Sequence, residues 1–327
     1  MLELTPSTAR LWSRMGTRAV LGQAIFSLAT KTDNLMVLSA DLGSSSGLNR
    51  FKNTYPNQFV NVGISEQNMI GVAAGFAKEG FVVFATSFAP FISMRASEQV
   101  RMNLGYMNLN VKAVAIGSGV GMAFLGNSHY GIEDASMMRS IPNLTVVAPA
   151  DCGETVKSVF AAAEFDGPMY IRLTGGINNP IVYEEEYNFV IGKSITLCEG
   201  SDISIFANGT MVYESLEAAK ILEGKNFSVT VVNMHTIKPL DTSAIDKASS
   251  SSELIVSIEE HSIIGGLGGS IAEYKTTLSG APPQLILGLP DKFGKIGEHR
   301  YLLEEYGLTA KQIAESIEKR IQHLRQR

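Results

Sequence analysis

The sequence predicts an α/β protein with two doubly wound domains whose sheets are mainly parallel, and three observations support this class. Short apolar runs alternate with longer helical patterns along most of the 327 residues. The runs are continuously apolar, which is typical of strands buried on both faces of a parallel sheet. The alternation stops once, at residues 176–200, and then restarts. We therefore place a first domain at residues 1–180 and a second, smaller one at 190–327.

The first half of the chain contains six runs that predict buried strands. They lie at residues 34–40, 59–62, 81–87, 111–117, 144–150 and 168–173. Helical patterns lie between them at 16–30, 65–79, 92–104, 133–140 and 152–164. Strands that alternate with helices in this way predict a parallel sheet covered on both faces. The glycine-rich stretch 117–131 is long for a connection inside a domain, and such loops are usually functional.

The second half repeats the alternation after a linker with an acidic cluster at 184–186, and the linker itself ends in a strand. Strands are predicted at 202–209, 227–234, 253–260 and 283–290, and helices at 212–223, near 241–249, at 266–278 and from residue 309. The stretch "GGLGG" at 265–269 stands between a strand and a helix but lacks the third glycine of a dinucleotide fingerprint. Two explanations stay open for it: close helix–strand packing, which we favour, and an anion-binding nest.

Composition argues against several classes of partner. The net charge is −5, from 27 basic and 32 acidic residues without a basic block, so we expect no nucleic acid partner. No apolar run approaches the roughly 18 residues of a membrane span, so we expect no membrane partner. Two cysteines make no disulfide framework, and the N-terminus has no apolar signal region. We therefore expect a reducing, cytoplasmic location. The histidines show no metal-ligand spacing, and we expect no metal site on this chain.

The stretch "NVGISEQNMIGVAAGFA" at residues 61–77 places one acid, Glu66, among glycines and aliphatic residues. Ser65 suits a helix N-cap, and Glu66 then lies in the first turn, where the helix dipole favours an anion by about 0.3–1 kcal/mol. That effect does not explain the apolar surroundings, or Gly71 and Gly75, which cost helix stability. The two glycines would instead let another backbone approach this helix closely.

Several chemically capable side chains follow the predicted strands of the first domain at their carboxyl ends. They are Asp41, Glu66, Phe88, Phe91, His129 and Arg172. Each alone has an ordinary structural explanation: a turn acid, a first-turn charge, core aromatics, a loop hydrogen-bonder or an ion pair. Because ligands bind beyond the carboxyl edge of open parallel sheets, their convergence favours one ligand site.

Longer motifs resemble a known family. "VGISEQNMIGVAAGFA" and "GNSHYGIEDASMMRSIPNLTVVAPADCGE" resemble the pyrimidine-binding domain of the transketolase group of thiamine diphosphate enzymes. "HTIKPLD", "EEHSIIGGLGGS" and "GLPDKFGKIGEHRYLLEEYGLTA" resemble the C-terminal domain of transketolases and deoxyxylulose-phosphate synthases. The resemblance covers nearly the whole chain. It implies transfer of a two-carbon ketol unit from a ketose donor to an aldehyde acceptor.

The resemblance also implies roles for the residues that bind the cofactor. A glutamate at the position of Glu66 hydrogen-bonds a ring nitrogen of the cofactor's aminopyrimidine and shares a proton with it. Phe88 and Phe91 would stack on the pyrimidine, adding about 0.5–1.5 kcal/mol beyond area burial. Asp41 resembles an aspartate near the cationic thiazolium ring.

Further residues would contact substrate. His129 would lie over the reactive carbon and hydrogen-bond the donor's oxygens, so we expect it to be catalytic together with Glu66. Arg172 aligns with an arginine that holds a substrate phosphate or acid group. Ser44 and His261 complete the expected substrate-binding set.

Two departures from the family pattern concern the substrate. Transketolases that act on sugar phosphates carry an aspartate where this chain has Leu125, and a phosphate-binding histidine where it has Gly117 or Ser118. We therefore expect that standard pentose phosphates are not its substrates, and that the acceptor is less hydroxylated or unphosphorylated.

The family's diphosphate-binding domain, with its G-D-G metal motif, has no counterpart in the sequence. This implies a split enzyme, in which a separate N-terminal subunit binds the diphosphate and most of the Mg²⁺ coordination, with two copies of each subunit around a dimer core. Two alternatives stay open. One is the beta subunit of a 2-oxoacid dehydrogenase or a deoxyxylulose-phosphate-synthase-like condensing enzyme, and the other is a non-catalytic relative.

Overall fold

The computed structural model describes residues 2–326 and contains two mainly parallel sheets, each flanked by helices, which confirms the predicted class. The helices are α1 Pro6–Met15, α2 Thr17–Ala29, α3 Asn49–Thr54, α4 Glu66–Lys78, α5 Ser97–Gln99, α6 Asp134–Ser140, α7 Cys152–Glu164, α8 Met211–Glu223, α9 Thr242–Ser251, α10 Leu267–Lys275, α11 His299–Glu305 and α12 Ala310–Arg325. The strands are β1 Leu35–Ser39, β2 Phe59–Asn61, β3 Val82–Phe88, β4 Val111–Ile116, β5 Thr145–Val147, β6 Met169–Leu173, β7 Ile195–Cys198, β8 Ile203–Ala207, β9 Val229–Asn233, β10 Thr236–Lys238, β11 Leu254–Ser262 and β12 Gln284–Leu289.

The first sheet has seven strands in the order β10-β5-β6-β4-β3-β1-β2, and β1 to β6 run parallel. The strands in its interior are buried along almost their whole length because both faces are covered. In β1, Leu35 and Val37 join one hydrophobic core while Met36 and Leu38 join the other. Successive side chains of a strand point to opposite faces, so this sequence needs helices on both sides.

The second sheet has five strands in the order β12-β11-β8-β9-β7, parallel except for β7, which pairs antiparallel with β9. The linker thus ends in a strand, as predicted, and that strand closes one edge of this sheet. Strand β10 belongs to the second half of the chain yet pairs antiparallel with β5 of the first sheet. The two halves are therefore joined by a shared sheet edge, which the proposed division at 180–190 does not capture.

Several short elements were not predicted. They are α1, α3, α11 and β10. The predicted helix at 92–104 is instead a pair of π-helical segments, Phe91–Arg95 and Val100–Tyr106, with the short α5 between them. The three to seven residues of α3, α11 and β10 are too few to show a hydrophobic period, and π-helical turns often occur at functional sites.

The glycines at 265–269 serve the protein's own packing. The carboxylate of Glu259 accepts hydrogen bonds from the backbone N–H groups of Leu267 and Gly268 at 2.8 and 2.9 Å, at the start of α10. A Cβ at Gly268 would lie 2.7 Å from the side chain of Ile286, on the neighbouring strand. The favoured explanation, close packing, therefore fits, and the protein's own carboxylate occupies the anion nest.

Within residues 2–326, no helix combines the length and the apolar character needed to cross a membrane.

Helix α2 and the segment that follows β1 approach each other closely at a pair of glycines, Gly22 and Gly47. A Cβ at Gly22 in α2 would lie 2.0 Å from the carbonyl oxygen of Gly47, whereas a Cβ at Gly71 in α4 would meet nothing within 4 Å. We predict that Gly22→Ala lowers the free energy of unfolding by about 1–3 kcal/mol, because the backbone must move. Gly71→Ala is the matched control and should raise it by about 0.5–1 kcal/mol, since alanine favours a helix.

Urea denaturation of both variants, followed by circular dichroism, measures the difference. Equal stability of the two variants would contradict this close approach.

Candidate active site

Four neighbouring parallel strands of the first sheet end at one edge, and the loops after them build the candidate site. Asp41 follows β1, Phe88 ends β3, and the segment 117–131 follows β4. Glu66 begins α4 after the edge strand β2. The carboxyl ends of adjacent parallel strands therefore bring these residues to one side of the molecule.

Glu66 is buried, with 2% of its surface exposed. One carboxylate oxygen accepts a 2.8 Å hydrogen bond from Arg95, and the other accepts a 3.2 Å hydrogen bond from Ser87. Ser65 occupies the N-cap position but makes no side-chain cap bond, so Glu66 is not part of a capping arrangement. The longer bond to Ser87 is the weaker of the two, and the oxygen that makes it is the better placed to exchange partners for a ligand nitrogen.

Three rings form a cluster beyond the end of β3, and Arg95, which pairs with Glu66, lies over one of them. The ring centroids of Phe88 and Phe91 lie 5.9 Å apart, and the ring of His129 lies 5.5 Å from Phe88 and 5.2 Å from Phe91. The Arg95 guanidinium lies 4.1 Å over the Phe91 ring. A buried carboxylate beside aromatic faces suits a flat heterocycle with a hydrogen-bonding ring nitrogen, and a pyrimidine ring fits this description.

The segment 117–131 that carries His129 is held by the second half of the chain. The backbone N–H of Val120 donates to the Glu260 carboxylate at 2.8 Å. Asn127 exchanges two hydrogen bonds with the backbone of Gly294, both at 2.9 Å. The Oγ of Ser128 lies 3.0 Å from Nδ1 of His129.

Arg172 does not lie at this site, which corrects its expected role. Its side chain is fully buried, and its Nε donates to the Asp134 carboxylate at 2.9 Å. Its Nη2 donates to the carbonyl oxygens of Gly131 and Glu260 at 3.1 and 2.6 Å. A guanidinium enclosed in this way holds the two halves of the chain together and is not available to a substrate phosphate.

His261 is also enclosed, contrary to the expected substrate contact. Its Nδ1 donates to the carbonyl oxygen of Ser262 at 2.8 Å, and its Nε2 accepts from the backbone N–H of Ser136 at 3.3 Å. Both ring nitrogens are therefore used inside the protein, and the side chain is fully buried.

Asp41 and Ser44 lie in the exposed segment after β1. The Asp41 carboxylate accepts a 3.1 Å bond from Asn61, and Asp41 has a left-handed backbone with φ of 59°. Ser44 lines a cavity of about 230 Å³ at the start of α2, together with Thr17 and Arg18. Thr17 Oγ1 is buried and has no hydrogen-bond partner within the described residues.

The positions that depart from the family pattern carry no charge. Leu125 is 49% exposed in the loop. A Cβ at Gly117 would lie 2.2 Å from the Met122 sulfur, and its φ is +68°, so no larger side chain fits there. Ser118 is buried, and its hydroxyl faces the carbonyl oxygen of Ala115.

Three residues that the structure brings to the site or to its supporting contacts were not predicted from the sequence: Arg18, Arg95 and Glu260. Arg95 follows Phe91 by four residues, which is one turn of a helix, and this spacing could have indicated it. Glu260 lies 140 residues from Val120 along the chain, so only the tertiary structure shows that its carboxylate holds the loop.

Two models of known protein families match the chain. A model described as the transketolase pyrimidine-binding domain matches residues 13–177, and one described as the transketolase C-terminal domain matches residues 192–313. The chain therefore belongs to the transketolase family.

Relatives of similar length support this assignment. A chain of Methanocaldococcus jannaschii, provisionally named a transketolase C-terminal section, is 42% identical over 92% of this chain and 95% of its own length. A 6-deoxy-6-sulfo-D-fructose transketolase subunit of Clostridium sp. is 39% identical over 87% and 88% of the two chains. A solved structure described as a split-gene transketolase, an inactive β4 tetramer, superposes with a TM-score of 0.85 at 38% identity, covering 94% of this chain and 98% of its own.

His299 pairs with Glu260, the residue that holds the loop 117–131, and this pair makes the stability of the protein depend on pH. Burial by itself would lower the pKa of His299, but the charge and hydrogen bond of Glu260, with Nε2 at 3.1 Å, raise it above its usual 6.5. The pKa of the Glu260 carboxyl is conversely lowered below 4.5, because His299 outweighs the effect of burial. Charged His299 therefore stabilises the fold below pH 6.5, and this contribution is lost as the pH rises through its raised pKa.

We predict that the melting temperature of the protein falls as the pH rises above 6.5, and that His299→Gln flattens this fall. His323→Gln, an exposed histidine on α12, is the control and should leave the slope unchanged. Calorimetric melting between pH 5 and 9 gives the slopes. Identical slopes in the His299→Gln variant and the unaltered protein would contradict the pairing.

Proposed function

We propose that this chain is the C-terminal subunit of a split transketolase-like enzyme. Together with a diphosphate-binding partner, it uses thiamine diphosphate to transfer a two-carbon ketol unit from a ketose donor to an aldehyde acceptor. The observation that carries this proposal is the buried Glu66 carboxylate beside Phe88, Phe91 and His129 at the carboxyl edge of the sheet. When bound, the cofactor supplies a nucleophilic carbon for attack on the donor carbonyl.

The residues of the candidate site have separate roles in the proposed reaction. Glu66 holds a proton between its carboxylate and a pyrimidine nitrogen, and Phe88 and Phe91 stack on that ring. His129 orients oxygens of the donor. Asp41 offsets cationic charge near the reacting centre, because its carboxylate lies at the same edge of the sheet.

An anionic group of the substrate would bind in the cavity at the start of α2. Arg18 and Ser44 line it, and the buried Thr17 hydroxyl has no hydrogen-bond partner among residues 2–326. A helix N-terminus adds backbone N–H groups and a favourable dipole. Arg18 thus takes the role that Arg172 cannot fill. Leu125 offers an apolar side chain where a sugar hydroxyl would otherwise be bound, which favours a less hydroxylated substrate.

The partner subunit would hold the diphosphate and the Mg²⁺. Gly71 and Gly75 lie on an open face of α4, the helix that begins at Glu66, and a Cβ at either position would meet nothing within 4 Å. We propose this face as the surface that another subunit approaches, in an assembly of two copies of each subunit. The unpaired thiols of Cys152 and Cys198 suit a reducing compartment, and we propose the cytoplasm.

We predict that Glu66→Gln lowers turnover at least 100-fold in the complex with the partner subunit and leaves the melting temperature within a few degrees. The amide cannot share a proton with the ring nitrogen as the carboxylate does. Glu79→Gln, at the far end of the same helix and exposed, is the matched control and should retain full turnover. Turnover is measured with fructose 6-phosphate and with a deoxy ketose as donors.

Near-normal turnover of the Glu66→Gln complex would refute the proposed function. Calorimetric titration of thiamine diphosphate and Mg²⁺ into the chain alone should give little heat, and titration into the complex should give a saturable signal. Tight binding by the chain alone would refute the need for a partner. Release of carbon dioxide from pyruvate by the complex would favour the 2-oxoacid dehydrogenase alternative.

Substitution of Arg18 tests whether the cavity at the start of α2 binds an anionic group. We predict that Arg18→Gln raises the KM for donors with a terminal phosphate or sulfonate about 10-fold or more and leaves the KM for uncharged donors unchanged, because a charge-assisted bond is lost. Arg14→Gln, exposed on the preceding helix, should change neither value. An equal rise in KM for charged and uncharged donors would show that the cavity does not bind the anionic group.

A further inference from the structure

The loop that carries His129 is anchored at its base by a carboxylate of the second half of the chain. The Glu260 side chain is fully buried at the end of β11, and one of its oxygens accepts the backbone N–H of Val120. A Cβ at Gly119 would lie 2.4 Å from that oxygen, so the loop backbone rests directly on the carboxylate. Only glycine at this position, with its φ of +66°, permits that contact.

Glu260 is itself held from two further elements. Its other oxygen accepts 2.7 Å and 3.1 Å hydrogen bonds from Thr210, before α8, and from His299 in α11. A buried carboxylate with three donors has one well-defined position, because any displacement leaves a buried charge unpaired. The base of the loop therefore follows the position of the second sheet and its helices.

A second anchor lies near the tip of the loop. Asn127 exchanges its two hydrogen bonds with Gly294, in the segment between β12 and α11. A Cβ at the adjacent Gly126 would lie 2.7 Å from Ile296, and the Tyr130 hydroxyl lies 3.2 Å from the Lys295 carbonyl oxygen. The residues on both sides of His129 thus lie against one short segment of the second half of the chain.

The imidazole itself has fewer constraints than the backbone that carries it. Within residues 2–326 it lies edge-to-face with Phe88 and Phe91, and the neighbouring Ser128 hydroxyl approaches it at 3.0 Å. The position of the ring over the aromatic residues is therefore set mainly by where the loop backbone lies.

We propose that the second half of the chain acts as a clamp that positions His129, with Asn127 and Glu260 as positioning residues for the reaction. This proposal rests on the proposed function for the role of His129, but the geometry of the clamp does not depend on it. Displacing a reacting group by about 1 Å can cost a factor on the order of 100 in rate, so loss of one anchor should act on turnover.

The test compares Asn127→Ala with Asn34→Ala, in the complex with the partner subunit. Asn34 makes the same kind of bond, from its side-chain amide to the Gly80 carbonyl oxygen at 3.1 Å, far from the loop in sequence. We expect Asn127→Ala to lower kcat about 10-fold to 100-fold, to leave thiamine diphosphate affinity unchanged, and to speed amide hydrogen exchange within residues 120–129. Asn34→Ala should change none of these.

A conservative substitution at the base of the loop separates positioning from simple stability. Glu260→Gln can still accept from Val120 through its amide oxygen and donate to Thr210 or His299 through its NH₂ group, so it should keep slow loop exchange and most of kcat. Glu260→Ala should lose both. Unchanged kcat in Asn127→Ala, or reduced kcat with unchanged loop exchange, would overturn the clamp.

Loop exchange is measured without substrate, so it reports on the clamp even where the proposed chemistry fails. If Glu66→Gln retains turnover, the proposed function falls. If the amide exchange of residues 120–129 does not respond to Asn127→Ala, the clamp is refuted and the proposed function is unaffected.

Discussion

The arrangement of the two halves of the chain depends on the buried ion pair between Arg172 and Asp134. The guanidinium, at the end of β6, reaches the start of α6, the end of the His129 loop at Gly131 and the backbone of Glu260 in the second sheet. Removing one member of a buried pair typically costs about 3–5 kcal/mol, because the other charge is left without a partner in a medium of low dielectric. The pair therefore fixes the position of the second half of the chain relative to the first half and to the loop that carries His129.

That arrangement explains how a site at one sheet edge comes to depend on a second sheet. The groups proposed for chemistry, Glu66 with the rings of Phe88, Phe91 and His129, all belong to the first half of the chain. The groups that hold the loop, Glu260 and the backbone near Gly294, belong to the second half. Strand β10 adds a further connection, because it completes the first sheet from the second half. The division of labour is thus between residues that contact ligands and residues that position them.

Sequence patterns predicted those parts of the protein in which local signals and buried surfaces agree. Most strands of both sheets were found because residues covered on two faces are mainly apolar, as in Leu35–Ser39, whose five residues are all buried. Glu66 was singled out because a lone acid in an apolar segment needs a partner, and the structure gives it two, Arg95 and Ser87. Elements such as β10 and α11 were missed, since three to seven residues show no reliable period.

The sequence by itself determined the class of fold, the family and the residues at the ends of the strands, because hydrophobic period and contiguous motifs are local features of the chain. Only the tertiary structure decided which polar side chains are available to a ligand. Arg172 and His261 looked like substrate contacts, but both are enclosed by partners distant in sequence, Asp134 and Ser136. Arg18 and Arg95 gained candidate roles in the same way. Burial and pairing depend on contacts between residues far apart along the chain, and local patterns contain no record of those contacts.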